Sequence, residues 1–88
     1  PEDSAWSDYA GELATNLRRL RQEAGLSQED VAYRSGLTRY TYQKYEKGES
    51  KPGAPANPTI RTLLAMSQAL GVSLMDILPA KIPDLRLR

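Results

Sequence analysis

Apolar residues recur along the chain at helical spacing. The first helix is predicted over residues 8–24, with one stripe on a single face. That stripe consists of Leu13, Leu17, Leu20 and Ala24. Gly25 is expected to end the helix as a left-handed cap. Trp6 and Tyr9 lie upstream, where they would either extend the helix or fold back over the core, and the pattern does not choose between these.

Two short helices follow, joined by a glycine turn. Ser27 and Asp30 have the spacing of an N-cap and an acidic third helical residue, which predicts the start of helix two. Its narrow buried face is predicted to consist of Val31, Ala32 and Ser35. Gly36 closes this helix, Thr38 is a good N-cap for helix three, and Gly48 is expected to end it. The segment therefore has the layout of a helix-turn-helix motif.

The chain between Gly48 and the next helix is poor in large side chains. Residues 49–57 contain two Pro, one Gly and no large apolar residue, which predicts a surface loop. Pro58 and Thr59 then signal the start of helix four. Its apolar stripe is predicted to consist of Ile60, Leu63, Leu64, Ser67 and Leu70.

A short fifth helix completes the predicted core. Ser73 and Asp76 repeat the capping pattern, and Pro79 is expected to stop the helix. Its apolar residues are Leu74, Ile77 and Leu78. The chain then divides into an N-terminal extension, one compact all-α domain of five helices and a C-terminal tail, over residues 1–8, 9–79 and 80–88.

Helix three has two chemically different faces. At about 100° per residue, Thr41, Tyr42 and Tyr45 fall on one side and are expected to pack. The opposite side carries Arg39, Tyr40, Gln43, Lys44 and Lys47. An ordinary solvated helix face is the simplest interpretation of these residues. The absence of any acid among them, on the second helix of a helix-turn-helix, favours a ligand-binding surface instead.

Composition excludes several classes of function. The chain of 88 residues has no Cys and no His, so thiolate metal sites, disulfides and the commonest general base are absent. We expect no enzyme activity and no cofactor. No apolar run reaches the roughly 18 to 20 residues that span a bilayer, and the acidic start lacks the basic flank of a signal peptide. A cytoplasmic, nucleoid-associated protein of a bacterium or phage is expected, and because residue 1 is Pro, the chain is expected to be a piece of a longer protein.

The net charge of +1 conceals an uneven distribution. Residues 1–30 carry −4, residues 31–61 carry +4 and the remainder carries +1. The positive region coincides with the polar face of helix three, and a local basic patch matters more to phosphate binding than the total charge. Four tyrosines nearby are compatible with stacking on single-stranded nucleic acid. Tyr42 and Tyr45 are expected in the core, however, which leaves Tyr33 and Tyr40 on different helices.

The order of these features resembles the phage-repressor and Cro-like (XRE-type) helix-turn-helix family. The landmarks are Gln28 at the start of helix two, Ala32, Gly36, the sequence Glu46-Lys47-Gly48, and Leu70-Gly71-Val72 before helix five. The resemblance covers residues 13–78. It implies a sequence-specific regulator of transcription, repressor-like, that places helix three in the major groove of operator DNA. It also implies a homodimer on a palindromic site.

The resemblance also implies roles for single residues. Base-contacting positions correspond to Arg39, Tyr40 and Lys44, with Gln43 as a fourth. Positions that contact the DNA backbone correspond to Gln28, Thr38, Lys47 and the loop after Gly48, and Gln28 also falls where a residue braces helix three. Arg21 and Glu46 fall where family members form a partly buried ion pair between helix one and the end of helix three.

Two features depart from the family pattern. The loop 49–57 is longer than usual, so Lys51 could reach the phosphate backbone or the loop could serve a partner. The tail residues Ile82, Leu85 and Leu87 would either add to a dimer surface or stay without structure. The alternative function is a protein-interaction module of the antitoxin or coactivator type, with secondary DNA binding.

Overall fold

A computed structural model describes residues 4–86. Within this range the chain forms five α-helices and two short strands, in this order: α1 Ser4–Glu23, α2 Gln28–Arg34, α3 Arg39–Lys47, β1 Glu49–Lys51, β2 Ala54–Pro55, α4 Ile60–Leu70 and α5 Leu74–Ile77. The predicted helical domain is confirmed, with a small sheet added. The first three residues of the predicted extension, and Leu87 and Arg88 of the tail, lie outside the described residues.

The first helix supplies the largest share of the buried core residues. Its buried stripe contains Leu13, Leu17 and Leu20, as predicted, together with Ala10 and Ala14. The other helices contribute the rest of the core, with Val31, Tyr42, Met66 and Ile77 fully buried. Burial of these side chains is the main stabilising contribution in a chain of this size.

The start of α1 differs from the prediction. The helix includes Ser4, so residues 4–8 of the predicted extension are helical, and Trp6 and Tyr9 extend the helix instead of folding back. Their rings stack with centroids 5.6 Å apart. At the other end the helix stops at Glu23, so Ala24 lies in the following turn and is exposed.

The helix-turn-helix begins and ends at the predicted residues. The Ser27 hydroxyl accepts a hydrogen bond from the Asp30 backbone N–H, while the Asp30 carboxylate accepts one from the Ser27 backbone N–H, which completes the capping box. Leu37 N–H donates to the Ala32 carbonyl at 2.8 Å and closes the turn around Gly36. The Thr38 hydroxyl caps α3 by accepting from the Thr41 N–H. These caps satisfy backbone N–H groups at the starts of α2 and α3.

The predicted stripe of α4 was wrong at two positions. Ile60 is 71% exposed and Leu64 is 43% exposed, whereas Met66 is fully buried. The packed face consists of Leu63, Met66, Ser67 and Leu70. This face also has helical spacing, so periodicity alone allowed both stripes, and docking against the neighbouring helices selects one.

The segment predicted as a surface loop contains an antiparallel hairpin. Lys51 pairs with Ala54 around the turn at residues 52–53, and Glu49 pairs with Pro55. Two residues on β1 therefore oppose one on β2, which makes Ser50 a bulge. Gly53 has a φ of +83°, the left-handed conformation that a turn of this kind needs. The prediction failed because these strands are short and carry no apolar alternation.

Candidate nucleic-acid interface

The outward face of α3 carries the residues predicted to contact bases. Arg39 and Tyr40 are exposed in the first turn, and Lys44 is half-buried one turn later. The Lys44 ammonium lies 4.4 Å from the centroid of the Tyr40 ring, a cation–π contact. The structure therefore brings Tyr40 and Lys44 together on the surface of the helix, with Arg39 beside them at its N-terminus.

The side chain of Gln43 is hydrogen-bonded to Gln28 of α2. Its Nε2 donates to Oε1 of Gln28 at 3.0 Å. The Gln28 amide in turn donates from Nε2 to Oε1 of Glu46, also at 3.0 Å. Because Gln28 uses its nitrogen on the carboxylate, its oxygen faces Gln43, and Gln43 must present its nitrogen there. The orientation of the Gln43 amide is thus set by α2.

An ion pair lies at the inner end of this chain of hydrogen bonds. Arg21 donates from Nε to Oε2 of Glu46 at 2.6 Å and from Nη2 to Oε1 at 3.2 Å, a two-point contact. Arg21 also donates from Nη1 to the Leu26 carbonyl at 3.0 Å. Glu46 is 3% exposed, so the pair joins α1 to the end of α3 inside the protein.

The electrostatics of Glu46 reflect two opposing effects. Burial favours its neutral form, but hydrogen bonds from Arg21 and from Gln28 favour the carboxylate, and the net effect holds its pKa below the ordinary value. The neighbouring Tyr42 stays protonated, because burial raises the pKa of its hydroxyl. Glu46 is therefore a charged hydrogen-bond acceptor on the buried side of α3, where it binds Arg21 and Gln28.

Sequence reasoning missed the role of Arg18. Its guanidinium donates to the backbone carbonyl of Glu46 and, at 3.2 Å, to the Thr15 hydroxyl. A cation at this place satisfies a free carbonyl in the last turn of α3. Arg18 lies three residues before Arg21 on α1, so both face the same neighbour, and that spacing was the available signal.

The residues predicted to contact the DNA backbone surround the face of α3. Lys47 is exposed in its last turn, and Lys51 is exposed on β1. The Thr38 hydroxyl donates to Thr41 Oγ1 at 2.9 Å as well as capping the helix, so it is partly engaged. Gln28 and Arg39 line a shared depression at the start of α2, together with Arg21, Ser27 and Glu29.

Within residues 4–86, no cluster of three or more acidic side chains could hold a metal ion. None of the helices in this range has the length and hydrophobicity of a membrane span.

Two helices joined by a glycine turn, with a basic outer face on the second, define the helix-turn-helix class of DNA-binding regulators. A family model described as a helix-turn-helix domain matches residues 12–77. The chain belongs to this family, and the resemblance to Cro-like, XRE-type proteins is confirmed.

Known proteins similar to the chain have matching descriptions. The uncharacterised HTH-type transcriptional regulator y4dJ of Sinorhizobium fredii is 40% identical over 65 residues, which cover 74% of this chain and 77% of that protein. The restriction-modification controller protein C.AhdI of Aeromonas hydrophila superposes with a TM-score of 0.68 at 29% identity, over 77% of this chain and 94% of its own. The hypothetical transcription factor NHTF from Neisseria superposes with a TM-score of 0.69 at 31% identity, over 83% of this chain and 76% of its own. The protein is a DNA-binding transcriptional regulator.

Proposed function

We propose that the protein binds double-stranded DNA sequence-specifically and represses transcription, with α3 in the major groove. The observation that carries this proposal is the division of α3 into two faces. Tyr42 and Glu46 are buried against α1 and α2, while Arg39, Tyr40 and Lys47 are exposed on the other side. The major groove is wide enough to admit an α-helix, so the exposed basic face of α3 can enter it.

Four side chains are proposed to read bases. Arg39 and Lys44 would reach the O6 and N7 acceptors of guanine, and Tyr40 would contact a thymine methyl or a phosphate. Gln43 has one N–H bonded to Gln28, which leaves a second N–H and the oxygen for a two-point contact with adenine. Because Gln28 sets the orientation of this amide, little side-chain entropy is lost when it binds.

Four other residues are proposed to contact phosphates. Lys47 and Lys51 supply positive charge beside the face of α3, and both are exposed. Gln28 and Thr38 lie at the first turns of α2 and α3, where backbone N–H groups also point outward. These contacts would orient the protein on DNA without selecting a sequence.

A homodimer on a palindromic operator is proposed, with two copies of α3 about 34 Å apart. Support comes from apolar side chains outside the core, since Ile60 and Leu64 lie one turn apart on the surface of α4. The place of action would be the bacterial cytoplasm, and no enzymatic activity is proposed.

Selection of bound sequences from random duplex DNA, at one fixed physiological salt concentration, tests the proposal. The expected result is an enriched motif with two inverted half-sites whose centres lie a whole number of helical turns apart. Binding without any enriched motif would overturn sequence-specific reading. It would favour the protein-interaction module, which the uncovered Ile60 and Leu64 could also serve.

A further inference from the structure

The β1–β2 hairpin is fixed to the body of the protein at its base. The Ala56 N–H donates to the Gly48 carbonyl at 2.8 Å, which continues the hairpin ladder beyond Glu49 and Pro55. Ala56 is buried although it follows a short, exposed hairpin. The ends of the hairpin are therefore held together and covered.

Trp6 joins the base of the hairpin to α1. Its indole Nε1–H donates to the Ala56 carbonyl at 3.1 Å, across 50 positions of sequence. The indole ring is itself held, because it stacks on Tyr9 one turn along α1. No other side chain of residues 4–86 makes a hydrogen bond to Ala56, so Trp6 is the polar link between the first turn of α1 and the hairpin.

The junction between α3 and β1 is equally close to α1. A Cβ atom on Gly48 would lie 3.2 Å from the Ala10 carbonyl oxygen and 3.3 Å from the Gly11 Cα. The chain thus leaves α3 in direct backbone contact with α1. With the Trp6 contact, this gives the hairpin two attachments to α1, at Gly48 and at Ala56.

The hairpin lies beside the proposed DNA-reading face. The bulged Ser50 shares a surface concavity with Lys44 of α3, which Thr41, Tyr45 and Asn57 also line. Lys51 is the next residue, and it is exposed together with the turn residues Pro52 and Gly53. Because β1 begins at Glu49, directly after the Gly48 cap, the hairpin that carries Lys51 lies next to the end of α3.

We propose that the hairpin is a fixed arm that holds Lys51 against a DNA phosphate flanking the α3 site, and that Trp6 is the positioning residue for this arm. The inference rests on the proposed DNA-binding function. A lysine on a flexible loop would lose more conformational freedom on binding than one on a hairpin already held at its base. Trp6, near the N-terminus, thus contributes to DNA binding through the hairpin without touching DNA.

The salt dependence of DNA binding tests the arm. Lys51→Ala should reduce the slope of log K against log salt by about 0.9, the value for one lost phosphate contact, while the preferred sequence stays the same. Lys81→Ala, which removes an exposed lysine that lines a groove with Asp8 and Glu12, is the matched control and should leave the slope unchanged. An unchanged slope for Lys51→Ala, with normal binding by the parent protein, would overturn the proposal. It would favour a protein partner, instead of DNA, as the ligand of the hairpin.

A double-mutant cycle tests the role of Trp6. Trp6→Phe removes the indole N–H and keeps an aromatic ring against Tyr9, so the protein should still fold, with a thermal midpoint lower by about 4 to 8 °C, the effect of one lost hydrogen bond. The variant should bind all sequences more weakly, and this loss should vanish in a Lys51→Ala background. An equal loss in both backgrounds would mean that Trp6 does not act through Lys51.

A second variant tests the arm if Trp6→Phe does not fold. Pro52→Gly lies at the exposed turn and makes it more flexible, so binding should weaken about two- to fivefold, and again only when Lys51 is present. An unchanged affinity of both Pro52→Gly and Trp6→Phe would overturn the requirement for a fixed arm. If the parent protein binds no duplex DNA at low salt, the proposed function itself fails.

Discussion

Arg21 of α1 donates to the carboxylate of Glu46 at 2.6 Å, so the last turn of α3 is tied to α1 by an ion pair whose carboxylate is buried and whose guanidinium is partly buried. Glu46 also accepts from Gln28, which in turn accepts from Gln43. A structural ion pair is thus connected by two amides to a residue on the proposed DNA-reading face. The same contact stabilises the fold and orients part of the site.

Glu46→Gln should destabilise the protein, because it leaves the Arg21 guanidinium partly buried without its counter-charge. Loss of one partner of a buried pair costs about 3 to 5 kcal/mol, and the lower end is expected here since Arg21 keeps its bond to the Leu26 carbonyl. Chemical denaturation measures the change in unfolding free energy. Glu23→Gln is the control, since the Arg19–Glu23 pair is exposed and should contribute less than about 1 kcal/mol. Equal losses from both substitutions would contradict the assignment.

Acid should weaken the fold partly through Glu46. Burial opposes ionisation of this carboxyl, but the hydrogen bonds from Arg21 and Gln28 prevail, so its pKa in the folded protein lies below the ordinary 4.5. A carboxyl shifted in this direction contributes its full stability above its unfolded pKa, and the contribution is lost as the pH falls through the folded pKa. The difference in unfolding free energy between the parent protein and Glu46→Gln should therefore be constant from neutral pH to about 5 and shrink below 4.5.

The comparison with Glu46→Gln is needed because another carboxyl titrates in the same direction. Hydrogen bonds from the Ser27 backbone and hydroxyl lower the pKa of Asp30, and both proteins keep that effect. A difference that stayed constant to the lowest pH, or grew there, would mean that the pKa of Glu46 is not lowered by folding.

The helices and their ends were predictable because local signals determine them. Ser27, Thr38 and Thr59 were each predicted at a helix start and each caps a helix with its side chain. Local chemistry is sufficient here, since an N-cap bonds a backbone group two or three residues away. Family and function followed from the order of these signals along the chain.

Contacts between distant segments were not predictable in the same way. The stripe on α4 was misassigned at Ile60 because periodicity does not say which neighbours a helix meets. The base of the hairpin is hydrogen-bonded to Trp6, 50 positions before Ala56, and no local pattern joins these two residues. The sequence did contain a Pro52-Gly53 turn signal, but a turn implies a hairpin only when strands flank it.

Within the site, residue types were predictable, and the resemblance implied the Arg21–Glu46 pair, but the other contacts between side chains were not predictable. The basic face of α3 followed from spacing alone, whereas the hydrogen bond from Gln43 to Gln28 requires the relative placement of two helices. Arg18 was overlooked because its spacing from Arg21 indicates a shared helix face but does not identify a backbone carbonyl as its partner.

Gly48→Ala should cost more stability than a glycine cap ordinarily does. Gly48 has a φ of +76°, where a side chain costs about 1 to 2 kcal/mol, and its new Cβ would also meet the Ala10 carbonyl at 3.2 Å. Gly71 provides the matched control, because it caps α4 with a φ of +72° and an added Cβ there meets nothing within 4 Å. Thermal and chemical unfolding should show a larger loss for Gly48→Ala than for Gly71→Ala. Equal losses would mean that the backbone of α1 moves away from the new Cβ with no loss of stability.

Arg39→Ala and Lys47→Ala should weaken DNA binding in different ways, because one residue is proposed to read bases and the other to contact phosphate. Arg39→Ala should cost about 1 to 3 kcal/mol on the preferred duplex and relax the preference at one base position. Lys47→Ala should weaken binding to all sequences alike and reduce the salt slope by about 0.9. Competition titrations against single-base variants of the selected site, at two salt concentrations, separate the two effects. An equal loss on every duplex from Arg39→Ala would exclude it as a base reader, and a loss confined to the preferred site from Lys47→Ala would exclude it as a phosphate contact.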